Sequence, residues 1–415
     1  MYLNLEIAVF AMLIIGLTSL NGTLHSKGGS NKAVTNDEVV IGGLFSLHCE
    51  RRINRSISCG EFRIGGYEEL NAMLFAVKEI NENGSILPGT RLRVKVEDTC
   101  SSVKLATERS LDYTITKYRF ENNCTTNQSS KVEADSPVLA IVGERDSDIS
   151  RTVTNLVGLF HIPVVSYGAT SPSLSDVKYF LRTVPPDNFI AQTMVDLLER
   201  FRWNYVILLY SDSEYGRFAA NAIRERIRKE NGTVKICIAV DEAINAAGSF
   251  DSRREAEKGI WTKMEKQERK TRVVVVFAIH VDFSSFLQIG KESGHNITKY
   301  IWLSDNIWRG EAGNLTSELA YAISIIPDQV YISKFADFFH NESSAYVKKE
   351  WFEEFQSQRS NLESNRNTSI STCLPWRSSQ VGYVIDAVYS VALALHGIIQ
   401  CNDSAGKSCE KLYSR

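Results

Sequence analysis

Short apolar runs alternate with longer stretches of helical period along most of this chain. The runs Val39 to Ser46, Arg91 to Glu97, Val138 to Val142, Ile162 to Tyr167, Tyr205 to Tyr210, Lys235 to Val240, Val273 to Phe277, Tyr300 to Leu303 and Ile323 to Ile326 read as strands. Several are apolar throughout rather than alternating, the VVVVF of 273–277 most clearly, which suits strands covered on both faces. Between them Glu68 to Asn81, Val103 to Lys117, Ser150 to Phe160, Phe189 to Phe201 and Arg217 to Glu230 carry helical spacing. This order predicts an α/β fold of parallel sheets joined by right-handed crossovers. The first four strands would make one lobe and Tyr205 to Ile326 another. Val184, Pro185 and Pro186 would form a strap between them, because a residue before proline is held extended. The charged stretch Asp251 to Arg272 reads as a solvated helix of mixed charge. Val381 to Gln400 is almost long enough to span a bilayer, but Asp386 and His396 inside it argue for a helix packed on a sheet.

Composition narrows the compartment more than the function. The chain has 415 residues, 43% hydrophobic and 23% charged, with a net charge of −2. That balance is ordinary for a globular protein and gives no case for nucleic acid. Leu5 to Leu20 is almost wholly apolar and is followed by small polar residues, so residues 1–22 read as a secretory signal peptide. Asn-x-Ser/Thr sequons begin at Asn54, Asn83, Asn123, Asn127, Asn231, Asn296, Asn314, Asn341, Asn367 and Asn402, which points to a glycosylated extracellular surface. The eight cysteines suit an oxidising compartment. No Cys-x-x-Cys and no histidine pair at zinc spacing occurs, so neither metal nor cofactor is expected. Cys401 and Cys409 are close enough to staple one loop, and the others admit several pairings.

The candidate chemistry clusters at strand ends, where open α/β sheets bind their ligands. GERDSDIS at 143–150 follows a strand and opens a helix, so its backbone N–H groups and the Ser147 hydroxyl suit an anion. The same residues could simply cap the helix. Ser166-Tyr167-Gly168-Ala169-Thr170-Ser171 ends the next strand. Gly168 permits close backbone approach and Thr170 offers a hydroxyl, although an ordinary Ser/Thr turn reads the same way. Asp187, Tyr215 and Asp305 could hold an ammonium by charge-assisted hydrogen bonds and a cation–π contact; singly, they read as a linker, a packing residue and a cap.

The segments IPVVSYGATSPSLSD, FLRTVPPD, RWNYV, EYG, WLSD and VGYVIDAVYSVALAL, with CGEFR, AMLFAVKEINENGSILPG and EDTC nearer the start, follow one another in a familiar order. From about Asp37 onward the chain resembles the ligand-binding (Venus flytrap) ectodomain of family C G-protein-coupled receptors, metabotropic glutamate receptors above all. The resemblance implies a two-lobed, periplasmic-binding-protein-like type I clamshell, each lobe a mostly parallel sheet with helices on both faces. Residues 38–187 and 329–415 would form lobe 1 and residues 188–328 lobe 2, with the C-terminal part of the fold truncated. It implies α-carboxylate contacts at Ser147 and Thr170, a backbone contact at Gly168, and α-ammonium contacts at Asp187, Tyr215 and Asp305. It further implies disulfides Cys59–Cys100 and Cys401–Cys409, with an intersubunit disulfide at Cys124. Cys237 falls where the family bridges to a cysteine-rich domain. Cys373 should meet a cysteine near position 357, where Ser357 stands, so pairing with Cys49 is an alternative.

Departures bear on selectivity. The positions at which glutamate receptors hold the distal carboxylate with Arg and Lys are occupied by Glu69 and Gln380. A carboxylate facing a carboxylate is repulsive. The expected ligand is therefore a free L-amino acid other than glutamate, with basic side chains among the candidates; Glu69 could instead be a solvent-facing helix residue. The expected protein is an amino-acid-sensing receptor domain that homodimerises through lobe 1, with Leu156, Leu159 and Phe160 on the dimer helix. Coupling to a heterotrimeric G protein would run through a membrane domain outside this sequence, placing the whole receptor in the plasma membrane. The rivals are a secreted amino-acid-binding protein and the peptide-binding ectodomain of a receptor guanylate cyclase. No GxSxG, HExxH or phosphate-loop pattern supports an enzyme.

Overall fold

The structure is a computed structural model that describes residues 38–53, 56–121, 136–229, 235–244, 250–305, 319, 321–326, 331–364, 378 and 380–399. Two compact units emerge. One comprises Met1–Ala169, Ser175–Val184 and Gln329–Arg415, the other Thr170–Leu174 and Pro185–Asp328. The signal-peptide reading of residues 1–22, together with Cys124, Cys373, Cys401 and Cys409, lies outside the described residues.

The first unit is built on five parallel strands in the order β4-β1-β5-β6-β7, with β1 Glu38–Phe45, β4 Arg91–Asp98, β5 Val138–Val142, β6 Val164–Ser166 and β7 Phe180–Arg182. β5, VLAIV, is buried along its whole length, as a strand covered on both faces must be. Helix α1 (Ile64–Glu82) covers one face beside a later helix, α10 (Val381–Ile399). Val381–Ile398 has the length and apolarity to cross a bilayer, yet Val384, Ala387, Val388, Val391 and Leu395 are enclosed in the core of this unit. Its hydrophobicity is accounted for by that packing. Helices α2 (Val103–Glu121) and α3 (Ser147–Val157) lie against each other, with Tyr113, Ile149, Val153 and Val157 in a second core cluster.

The second unit repeats the plan with five parallel strands in the order β12-β11-β10-β8-β9. These are β8 Tyr205–Ser211, β9 Cys237–Ile244, β10 Val273–Phe277, β11 Ile301–Ser304 and β12 Ala322–Ser324. Its helices include α4 (Asp187–Arg200), α5 (Glu214–Lys229), α6 (Phe250–Gln267) and α7 (His280–Glu292). The charged stretch that reads as a solvated helix is α6, and it is amphipathic. Arg254 and Lys263 pair with Glu292 and Glu242, while Ile260, Trp261 and Met264 are buried. Trp261 stacks on Phe286 at 4.7 Å and donates its indole N–H to the Phe286 carbonyl at 3.0 Å.

The pattern of apolar positions did not disclose an antiparallel hairpin, β2 His48–Ile53 with β3 Ser56–Phe62. Its strands are mostly polar and exposed, so they carry no apolar run. The Cys59–Cys100 disulfide ties it to the end of β4. His48 adds a second tie, with Nδ1 2.5 Å from Asp98 Oδ2 and Nε2 3.0 Å from Glu354 Oε2 on helix α9 (Lys349–Ser364). Two carboxylates at the two ring nitrogens call for an imidazolium, and the Asp98 hydrogen bond raises its pKa above the ordinary histidine value against the opposing effect of burial. The sign follows: a raised histidine pKa contributes stability below about pH 6.5 that fades as pH rises through the folded value. His48→Gln should therefore cost about 1–3 kcal/mol at pH 5.5 and clearly less at pH 8.5 in urea unfolding; equal losses at both would contradict this.

Candidate functional site

In the first unit the candidate residues sit on the turns that leave β5 and β6. The β5 turn begins at Gly143, whose φ of +137° and position 2.4 Å (as a Cβ) from the Leu44 carbonyl leave no room for a side chain. Ser147 is the first residue of α3, 4% exposed, at the end of a helix that favours negative charge. Gly168 packs against this turn: a Cβ there would lie 2.9–3.1 Å from Arg145 atoms, so its smallness lets the two turns touch. Its own N–H, with that of Ala169, is directed at the Ser166 hydroxyl.

Glu69 is not a solvent-facing helix residue: it is fully buried. Its Oε1 accepts from Arg145 at 3.0 Å and from the Ser378 hydroxyl at 2.7 Å. The adjoining Glu68 accepts the Ser378 N–H at 2.6 Å, and the Gln380 N–H reaches the Ser378 hydroxyl at 3.1 Å. Glu69 is thus neutralised by a neighbouring cation, which undoes the simple inference from its charge to a basic ligand side chain. Neither strand nor helical period marks Arg145 or Ser378 as partners of these acids, or marks Glu144 at all. A signal exists nonetheless: Glu68 and Glu69 stand just before the apolar run AMLFAV of α1 and must find partners if that part of the helix is buried.

In the second unit Thr170, Asp187, Tyr215 and Asp305 come together. Thr170 groups with this unit rather than with Ser147, and its carbonyl accepts the Asp187 N–H at 2.9 Å. Asp187 is not part of an extended strap; it opens α4 and is fully buried. The Tyr215 hydroxyl donates to Asp305 Oδ2 at 2.5 Å. Burial, then the charges of Asp305 and Asp187, push its pKa well above the ordinary phenol value. Asp305 follows β11 and is only partly buried. Two carboxylates around one phenol make a site suited to a cation, with an aromatic face beside it. The first unit also gathers His48, Cys59, Asp98 and Cys100 within metal-binding reach, but the two sulfurs are joined to each other, which removes the thiolates that a metal would need.

Residues 68–413 match the family described as the receptor family ligand binding region. Human metabotropic glutamate receptor 8 is 30% identical over 413 residues, covering 92% of this chain and 44% of the receptor. Mouse metabotropic glutamate receptor 6 is 30% identical over 417 residues (91% and 46%), and mouse metabotropic glutamate receptor 4 is 28% identical over 393 (87% and 41%). The chain spans less than half the length of these relatives.

Proposed function

Because the chain belongs to the receptor ligand-binding family, as an extracellular domain related to those of metabotropic glutamate receptors, we propose that it senses a free α-amino acid other than glutamate. Domains of this family bind ligands and are not catalytic. The carrying observation is the Asp187, Tyr215 and Asp305 group, which offers an ammonium two carboxylates and a ring. Ser147, Thr170 and the backbone at Gly168 would take the α-carboxylate. Closure between open and closed states would then be driven by the ligand engaging both sets. Each charged hydrogen bond contributes roughly 1.5–3 kcal/mol and the cation–π contact roughly 0.5–2, which after ordering costs suits micromolar binding.

Selectivity against glutamate rests on Glu69 and Gln380, which replace the cations expected for a distal carboxylate. The Glu69–Arg145 pair is neutral as a unit, so it favours an uncharged side chain over either charged kind. In the whole receptor we place this domain outside the plasma membrane, as a homodimer through the face that carries Leu156, Leu159 and Phe160, coupled to a heterotrimeric G protein through a membrane domain. Leu159 is 74% exposed, a position a partner would cover. Of the described sequons, Asn83, Asn296 and Asn341 are all exposed, as glycan attachment requires. Calorimetry of the secreted protein against the twenty standard L-amino acids tests the reading. Micromolar binding of one or a few, with glutamate weaker, is expected; binding of a peptide hormone and of no amino acid would favour a receptor guanylate cyclase instead.

A further inference from the structure

Glu144 lies directly beneath the turn that carries Ser147 and is fully buried. Its Oε2 accepts the N–H groups of Arg145 at 2.8 Å and Asp146 at 3.3 Å. Its Oε1 faces two hydroxyls, Ser46 at 3.2 Å and Thr99 closer still. Its backbone carbonyl receives the Ser150 and Ser166 hydroxyls at 3.1 and 2.5 Å, and Ser166 in turn receives the N–H groups of Gly168 and Ala169. One residue therefore ties the β5 turn to the β6 turn, and its side chain positions the backbone just before Ser147.

The two faces of this carboxyl differ in kind. Backbone N–H groups can only donate, whereas hydroxyls can donate or accept. A proton on Oε1 would be given to Thr99 or Ser46. Thr99, 3.2 Å from the Phe45 carbonyl, could then donate there instead. The nest holds either charge state without opening the turn. The charged and titratable groups around it are Asp146 and Arg145 on the same turn, with Glu69 of α1 and the buried Tyr167 just after β6 linked through the same field; the residues directly following β1 and β4 present the Ser46 and Thr99 hydroxyls.

We propose that Glu144 is a proton-linked positioning residue: an anion captured on the Ser147 turn meets the Glu144 charge, so capture takes up a proton at Glu144 and is tighter in mildly acidic than in mildly alkaline solution. The proposal rests on the reading of Ser147 as an anchor for the ligand carboxylate. By reciprocity, whatever disfavours the second negative charge on this turn also favours the proton. Burial, then Asp146, already raise the Glu144 pKa to about 7 against the lowering by Thr99 and the two backbone donors, which puts the change in the physiological range. The linkage sign is that of a raised carboxyl. Glu144 contributes stability that is full below about pH 4.5 and lost as pH rises through about 7.

Glycine, which has both charged ends and no side chain, is the probe, titrated by NMR into wild type and Glu144→Gln between pH 6.0 and 8.5. The wild-type dissociation constant should be about fivefold or more lower at pH 6.0 than at pH 8.5, and the variant should vary less than twofold. The same slope in both proteins would overturn the proposal, as would a flat wild type. Thermal unfolding of the free proteins over the same range is the second arm. Wild type should lose stability relative to Glu144→Gln as pH rises, and Thr99→Val, which keeps the carboxyl but removes a donor, should move that loss to higher pH. Parallel curves for wild type and Glu144→Gln overturn the proposal even if glycine binds. Failure of glycine to bind at any pH overturns the anion half of the proposal and leaves the amino-acid reading to the twenty-ligand calorimetry, while the unfolding arm still decides whether Glu144 holds the proton.

Discussion

Asp305→Asn should weaken amino-acid binding by about 10- to 100-fold, a loss of roughly 1.5–3 kcal/mol for one charged hydrogen bond to an ammonium. Asp305 sits at the C-terminal end of β11, anchored by its own backbone: its carbonyl receives the Ser324 hydroxyl at 2.5 Å. Its side chain accepts from Tyr215 on one oxygen and from Ser304, at 3.2 Å, on the other. Asparagine keeps the shape and can still accept from one of them, but it removes the charge. Because Asp305 is partly exposed, the unfolding midpoint should shift little. Calorimetry with the best amino acid from the panel, alongside urea unfolding of the same preparation, separates the two effects. Unchanged affinity would remove Asp305 from the site.

Arg145→Met is expected to destabilise the protein by about 3 kcal/mol, because it strands the fully buried Glu69 without its cation. Removing one partner of a buried pair costs more than the pair itself is worth. Ser378 donates one hydrogen bond to Glu69, which does not replace a charge. The cost is set toward the lower end of the usual range because the Arg145 side chain is 29% exposed and partly screened by water. The double variant Glu69→Gln with Arg145→Met should recover much of the loss, since no charge then remains buried. Urea unfolding of the four proteins forms the cycle. A cost below 1 kcal/mol for Arg145→Met, or no recovery in the double variant, would show that the pair is not the neutral knot described above.

Much of the scaffold is legible as hydrophobic pattern. Fully apolar runs such as Val273 to Phe277 announce strands covered on both faces, and the alternation with helices announces parallel sheets. The β2–β3 hairpin is not legible, because its strands pack little and owe their place to Cys59–Cys100 and to His48. The chemistry divides in the same way. Tyr215 lies in the first turn of the helix that follows β8, and Asp305 directly follows β11, where ligands of such sheets bind, so sequence position alone points to them. Glu69 illustrates the opposite case. Helical period cannot say whether an acid beside an apolar run of a helix meets solvent, ligand or a partly buried arginine 76 residues away in sequence, and that choice reverses its meaning for selectivity. Thr170 is a subtler example. It follows the strand after Ser147 in sequence, yet the chain folds it with Asp187.

The central claim is that one ligand is held by its ammonium and its carboxylate together. Calorimetry with the preferred amino acid, its N-acetyl derivative and its primary amide tests it most directly. The account predicts that each derivative, having lost one charged end and kept the other, binds at least tenfold more weakly than the free amino acid. If either derivative binds as tightly as the parent, the site does not read both ends, and the account is contradicted.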